Sequence, residues 1–207
     1  MKKLIAILFI FISIGLNAQD SIKVTNNGFT IVSIKKTVSD KIAYNRTIEW
    51  VNETYKNPDN VITGKVEGKS VTVKGYSSDA WNYKNLSLTY YFSMDYNIYI
   101  TIQDSLIQFN IVEGNHYNSD GGRYLGNSSS FYKSNGEYRP MYNNAKPSLE
   151  ATLNNLWFSY QNKFVNVEMS SEEALAELKK AKDKLDLELI TQEEYDKLKA
   201  ELSKYIK

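Results

Sequence analysis

LSLTYYFSMDYNIYITIQDSLIQFNIVEG, residues 86–114, decides the fold, because its apolar side chains recur at every second position. Leu86, Leu88, Tyr90, Phe92 and Met94 alternate with Ser87, Thr89, Tyr91, Ser93 and Asp95. Ile98, Ile100 and Ile102, then Ile107, Phe109 and Ile111, continue the pattern. A period of two is that of an extended strand with one dry face and one wet face. Polar steps at Tyr96-Asn97 and Asp104-Ser105 read as turns, so the stretch is expected to be a meander of antiparallel strands.

The elements before it fit the same sheet. VITGKVEGKSVTVKGY, residues 61–76, reads as a hairpin turning at Glu67-Gly68-Lys69. Ahead of that, Ser39 is placed to cap a helix whose Tyr44, Ile48, Val51 and Tyr55 fall on one stripe, which leaves Trp50 off it. Asn57-Pro58 stops this helix, and GFTIVSI, residues 28–34, reads as a first strand. Downstream, Leu149, Leu153, Leu156, Tyr160, Phe164 and Val167 form the stripe of a second helix that follows Pro147.

Composition narrows the class. MKKLIAILFIFISIGLNAQ, residues 1–19, has a basic start, an apolar run and small or polar residues at its end, the pattern of a secretory signal peptide. A periplasmic or secreted location is the expectation. The apolar run is shorter than the roughly 20 residues a spanning helix needs, so no membrane span is expected after signal removal. Cysteine is absent, so the fold cannot draw on disulfides. Removing Lys2 and Lys3 from the 25 basic side chains leaves 23 against 24 acidic ones, a formal balance of minus one that gives no electrostatic footprint for nucleic acid or an anionic membrane. Sixteen tyrosines against one histidine suits a β-rich exported protein.

RTIEWVNETYKNPDNVITGKVEGKSVTVKGY, residues 46–76, with its Trp-containing helix, its Asn-Pro stop and the hairpin after it, resembles the N-terminal half of the domain of unknown function 4468. That is a secreted bacterial family described as having a TBP-like fold. The resemblance would cover residues 28–167 and implies an α+β domain: an antiparallel β-meander sheet packed by two helices. It implies no activity. The last hairpin departs from the family's Lys-Asp-Gly-Arg-Tyr turn, reading Gln103-Asp104-Ser105-Leu106-Ile107 instead.

The end of the chain has a different grammar. Ser170 stands three residues before Glu173, and Thr191 three before Glu194, the spacing of two capping boxes and hence of two helix starts. ALAELKKAKDKLDLELITQEEYDKLKAEL, residues 174–202, resembles the SHOCT domain, a short helical module associated with oligomerisation, through its leucines, its Ile190-Thr191-x-Glu193-Glu194-Tyr195 segment and Lys199. It departs at Glu188, where that family has glycine. A left-handed stop at this position would be strained for Glu, so Leu187 and Leu189 are expected to let the first helix run on slightly. A two-helix hairpin over residues 170–207 hides little apolar surface, so a partner surface is expected: another copy, another protein, or the protein's own sheet. The candidate association face is Leu175, Leu178, Leu185, Ile190, Tyr195, Leu198 and Leu202.

Catalytic signatures are weak. His116 is the single histidine, read as a solvated loop residue, and with no cysteine there is neither a metal set nor a nucleophile triad to build on, so no cofactor and no enzyme activity are expected. Glu172-Glu173 and Glu193-Glu194 have capping as their evident task, and Asp79, Asp95 and Asp104 occupy turn-like places. Recognition is expected in the Gly-, Asn- and Tyr-rich connection after Glu113, where Tyr117, Arg123, Tyr124, Tyr132, Tyr138 and Arg139 could meet a glycan or peptide. The favoured reading of the two is that these aromatics anchor the long connection, or form an extra hairpin, on the domain. The expectation is thus an exported, non-enzymatic binding or assembly protein. The alternatives are a protein holding a small apolar ligand between sheet and helices, and a carboxylate-dependent hydrolase.

Overall fold

In chain order the elements are β1 (Val24–Thr25), β2 (Gly28–Phe29), β3 (Val32–Lys35), α1 (Asp40–Thr54), α2 (Pro58–Val61), β4 (Ile62–Val66), β5 (Ser70–Asn85), β6 (Leu88–Ile102), β7 (Leu106–Asn118), β8 (Arg123–Tyr124), α3 (Ala145–Gln161), α4 (Ser171–Asp186) and α5 (Gln192–Ser203). The computed structural model describes residues 21–124, 126–165 and 169–206. The expected signal segment, residues 1–19, lies outside them, as does Val167 of the second helical stripe. The described chain is α+β, with a six-stranded antiparallel sheet in the order β3-β7-β6-β5-β4, β8 pairing β7, and five α-helices.

The alternation of the central stretch produces the core directly. Phe92, Met94, Tyr96, Ile98, Ile100 and Ile102 of β6 are all buried, beside Val71 and Val73 of β5 and Ile107, Phe109 and Ile111 of β7. There is no turn at Tyr96-Asn97. The dry row runs unbroken through Tyr96, whose hydroxyl meets that of Tyr55 at 3.1 Å, so a tyrosine is accommodated inside without an orphaned O–H. The ring lies across Gly75, its partner in register, where an added Cβ would come within 2.3 Å of it. At the other end the expectation fails: Leu86, Leu88 and Tyr90 are exposed, because β6 extends there beyond the covered part of the sheet.

The hairpin at residues 61–76 forms as read, with Gly68 in the left-handed region at φ 70°. The expected first strand is two pieces. Gly28–Phe29 pairs with Val24–Thr25 in a separate two-stranded hairpin, and Val32–Lys35 forms the edge of the main sheet against β7.

α1 and α3 cover the dry face. Ser39 caps α1 as its spacing predicts. The buried side of α1 is Ile42, Ala43, Arg46, Thr47, Trp50 and Val51, rotated by about 100° from the expected stripe, one residue's turn of a helix. Trp50 is therefore central, its ring edge-on to Tyr160 at 5.2 Å and to Phe109 at 5.8 Å, while Tyr44, Ile48 and Tyr55 are half-buried. The indole N–H donates to Ser159 Oγ at 3.0 Å, which is what lets a tryptophan sit there. α3 starts at Ala145, two residues ahead of Pro147, which occupies the first turn where a missing N–H is harmless. Its buried stripe holds Leu149, Leu153, Trp157 and Tyr160.

Both capping boxes form, at Ser170 and at Thr191. α4 and α5 pack against each other, and Ser171 Oγ at the start of α4 donates to the Tyr205 carbonyl beyond the end of α5 at 2.7 Å. Ala174, Ala181 and Leu202 are buried there; Leu178, Leu185, Ile190, Tyr195 and Leu198 are half-buried, and Leu175 faces outward. α4 does not run on through Leu187. Glu188 turns left-handed at φ 57°, with its N–H on the Leu185 carbonyl and the Leu189 N–H on the Lys184 carbonyl, both at 2.9 Å. That pair of bonds is the usual glycine-type helix stop, made here by a glutamate.

Candidate functional site

Strand β7 contains one residue too many for strict pairing. Met94 faces His116 and Tyr96 faces Glu113, so two steps along β6 oppose three along β7. This is a β-bulge, and Gly114 makes room for it: a Cβ there would stand 2.9 Å from Asp95 Cβ. Glu113 follows Ile111 on the dry face, and the extra residue brings His116 round to the same side. His116 is completely buried, which corrects its reading as a solvated loop residue.

Its surroundings fix its chemistry. Trp81 Nε1–H donates to His116 Nδ1 at 2.9 Å, and an indole N–H can only donate, so Nδ1 carries no proton. Nε2 then bears the hydrogen and gives it to Glu113 Oε2 at 3.1 Å. Glu113 also accepts from the Ser128 N–H at 3.0 Å and from Ser128 Oγ at 2.9 Å. Burial pushes the Glu113 carboxyl up, but the hydrogen bonds from His116 and Ser128 outweigh it and hold the group below 4.5. Ser128 bonds to the glutamate rather than to the histidine, so this buried chain is no nucleophile triad; it fastens the Tyr-rich connection to the sheet.

That connection is ordered around Trp81. The ring lies flat on Phe92 at 4.0 Å, with Tyr124 and Phe131 edge-on at 5.7 and 4.9 Å. Tyr124 shares a hydrogen bond with the Tyr142 hydroxyl at 2.9 Å, and burial pushes its phenol up to about 12. Tyr132 donates to the Val24 carbonyl at 2.5 Å, Tyr138 donates to the Tyr142 carbonyl, and Arg139 Nε donates to the Tyr132 carbonyl at 2.8 Å. Of the six expected recognition residues these four are committed to holding the connection in place, a distribution that hydropathy and composition could not have separated.

Tyr117 and Arg123 remain, paired across β7 and β8. The bulge that buries His116 sends Tyr117 to the wet face, where its hydroxyl donates to Asp95 Oδ2 at 2.8 Å; that bond holds the phenol above its ordinary value of 10. The Tyr117 ring lies 6.4 Å from that of Tyr76, which is 57% exposed. Tyr76, Asp79, Ser93, Asp95 and Tyr117 line a depression of about 460 Å³. A second bulge, where four steps from Ser77 to Trp81 oppose two from Met94 to Phe92, brings Asp79 to its rim at φ 51°. Asp95 thus stands in mid-strand rather than at a turn. Asn118 Oδ1, in the same wall, is buried without a hydrogen-bond partner among the described residues. Sequence reasoning missed Tyr76, Asp79 and Asp95 as neighbours of Tyr117; the glycine at position 114 was the available sign of a bulge.

The described residues hold no group of three or more His, Asp or Glu side chains placed to bind a metal ion. No described helix is long and apolar enough to cross a membrane.

No protein-family model matches the chain, and no curated protein matches it. A solved structure described as a DUF4468 family protein from Bacteroides ovatus ATCC 8483 is similar at 13% identity, covering 71% of this chain and 86% of that chain with a TM-score of 0.40. It bears the family name that residues 46–76 resemble.

Proposed function

We propose that this chain is an exported, non-enzymatic binding protein that receives a glycan or peptide on the wet face of its sheet, and that its C-terminal helix pair serves self-association or docking to another protein. The observation that carries the first part is the pairing of two surface tyrosine rings, Tyr76 and Tyr117, over a depression furnished with Asp79, Ser93 and Asp95 and flanked by Arg123. Flat rings give contact area at low entropic cost, while carboxylates and hydroxyls orient sugar hydroxyls or peptide amides. The second part is supported by the resemblance of residues 174–202 to an oligomerisation module and by the exposed Leu175, Leu187 and Leu189. Export rests on residues 1–19 alone.

The cleft reading is less well supported, since the interface of sheet and helices is filled by the rings of Trp50, Phe109, Trp157 and Tyr160. A hydrolase has one specific observation in its favour, two carboxylates on one depression, at Asp79 and Asp95.

Array binding of the mature chain to immobilised glycans and peptides, repeated with Tyr76→Ala and Tyr117→Ala, tests the recognition reading. Binding by the parent and loss in both variants is expected. Turnover of a bound glycan that stops in Asp95→Asn would replace it with the hydrolase. Light scattering of the chain with and without residues 170–207 tests assembly: a dimer or larger that becomes monomeric on truncation is expected.

A further inference from the structure

Beyond Phe92 the sheet narrows to two strands. Pairing of β7 with β6 ends at Asn118 and Phe92, and β4 reaches along β5 only as far as Val73. Asn82–Asn85 and Leu88–Tyr91 therefore pair only with each other, a two-stranded arm whose base packs through Tyr83 on Tyr142 at 5.6 Å and whose tip is exposed. Its β5 edge is closed against another strand: the Asn82 N–H is taken by Ser148 Oγ at 3.0 Å and the Lys84 N–H by Asn143 Oδ1 at 3.3 Å.

The tip has two features that oppose folding. Leu86 stands in the left-handed region at φ 54°, where Gly or Asn is at ease and a branched aliphatic is strained, and it is 98% exposed. Leu88, 59% exposed, and Tyr90 continue the row of dry-face side chains into solvent, with Tyr83 stacked on Tyr90 at 5.1 Å. From Ala80 through Met94 the sole charge is Lys84.

We propose that this arm engages a lipid surface, with Leu86 and Leu88 entering the acyl boundary, Tyr83, Tyr90 and Tyr91 at headgroup level, and Lys84 against lipid phosphate. The spacing fits. The Tyr83–Tyr90 pair lies two residues behind the Asn85–Leu88 pair, about 7 Å at the rise of a strand, within the roughly 5–10 Å depth of interfacial anchors. Tyrosine is the residue of that boundary, apolar in its ring and polar at its tip. A second copy is a poorer occupant, because the depressions around Asp79 and Asp95, around Arg46, Glu49 and Glu53, and around Asn110, Glu113 and Asn127 are lined with charged or amide side chains. The near-neutral chain adds little long-range attraction, so apolar insertion supplies the affinity.

Flotation of the mature chain with phosphatidylethanolamine–phosphatidylglycerol vesicles tests this, using Leu86→Gly and Leu88→Ser. Leu86→Gly removes the apolar tip while relieving the left-handed strain, so misfolding cannot account for its effect. The parent is expected to float, to do so still in about 0.5 M salt, and to lose about tenfold or more of its partition in either variant, with the thermal midpoint of Leu86→Gly no lower than the parent's. A parent that stays at the bottom of the gradient, or a Leu86→Gly variant that floats equally well, overturns the proposal. So does a dimer in sedimentation that Leu86→Gly dissociates while vesicles remain bare, which would assign the arm to a second copy.

Discussion

Glu173 grips Arg46 with both carboxylate oxygens, Nε to Oε1 at 2.8 Å and Nη2 to Oε2 at 2.9 Å, and the same Oε2 accepts the Ser170 N–H at 2.9 Å to complete the cap of α4. One carboxylate thus starts the tail's first helix and ties it to α1. Arg46 is otherwise spent on the Lys163 carbonyl at 3.2 Å and is nearly enclosed. The body of sheet and helices is therefore itself a surface that steadies the C-terminal pair.

Arg46→Ala is expected to cost about 1–2 kcal/mol, since the arginine is buried but Glu173 can turn to water, and to speed amide exchange in the first turn of α4. The hydrogen bond from Arg46 holds the Glu173 carboxyl below 4.5. A depressed folded-state pKa contributes stability that is complete above the unfolded value and is lost as pH falls through the folded one. Urea titrations from neutral pH to about pH 3 should show the gap between the parent and Glu173→Gln closing in that acid window.

Glu188→Gly should stabilise α4 by about 1 kcal/mol, because the left-handed stop is already built and only its side chain is strained. Denaturation followed by far-ultraviolet circular dichroism would register the gain. A loss would mean that the glutamate side chain has a role that its backbone geometry does not reveal.

His116→Ala leaves the Trp81 N–H without its acceptor and removes one of the two bonds to Glu113 Oε2, in addition to opening a void, and is expected to cost about 3 kcal/mol. The Trp81 indole N–H resonance should move, and the connection carrying Ser128 should become more open to proteolysis. Glu113, also held below 4.5, makes the same acid-side contribution as Glu173, present above the unfolded value and withdrawn below it.

Gly75→Ala places a methyl group against the Tyr96 ring and is expected to cost about 2 kcal/mol or more in thermal or chemical unfolding. Tyr96 cannot yield without losing the hydroxyl of Tyr55, so Gly75→Ala in a Tyr55→Phe background should be less than additive.

Much of this was legible in the sequence where one short-range rule governs. The capping boxes at Ser170 and Thr191, the turn at Gly68 and the alternation on either side of Tyr96 need only local spacing, whereas the continuity of β6 through Tyr96 depends on Tyr55 and Gly75. Trp50 and His116 were misplaced for a shared reason: a helix rotated by one residue, or a strand gaining one, changes which side chains face inward without changing the residues themselves. The preference for Trp50 in the core comes from Tyr160 and Ser159, more than a hundred residues away. The roles of the tyrosines after Glu113 likewise depend on Val24, Trp81 and Tyr83, whose proximity exists only in the fold.

The bulge at Gly114 leaves β7 with a choice of frame. Paired without the extra residue, the same strand would carry Asn115 and Tyr117 inward and put the imidazole in water, emptying the depression of its second ring and setting an amide opposite Met94. The buried run of Trp81, His116, Glu113 and Ser128 makes the observed frame the cheaper one, so the groups that touch no ligand determine which tyrosine the surface displays.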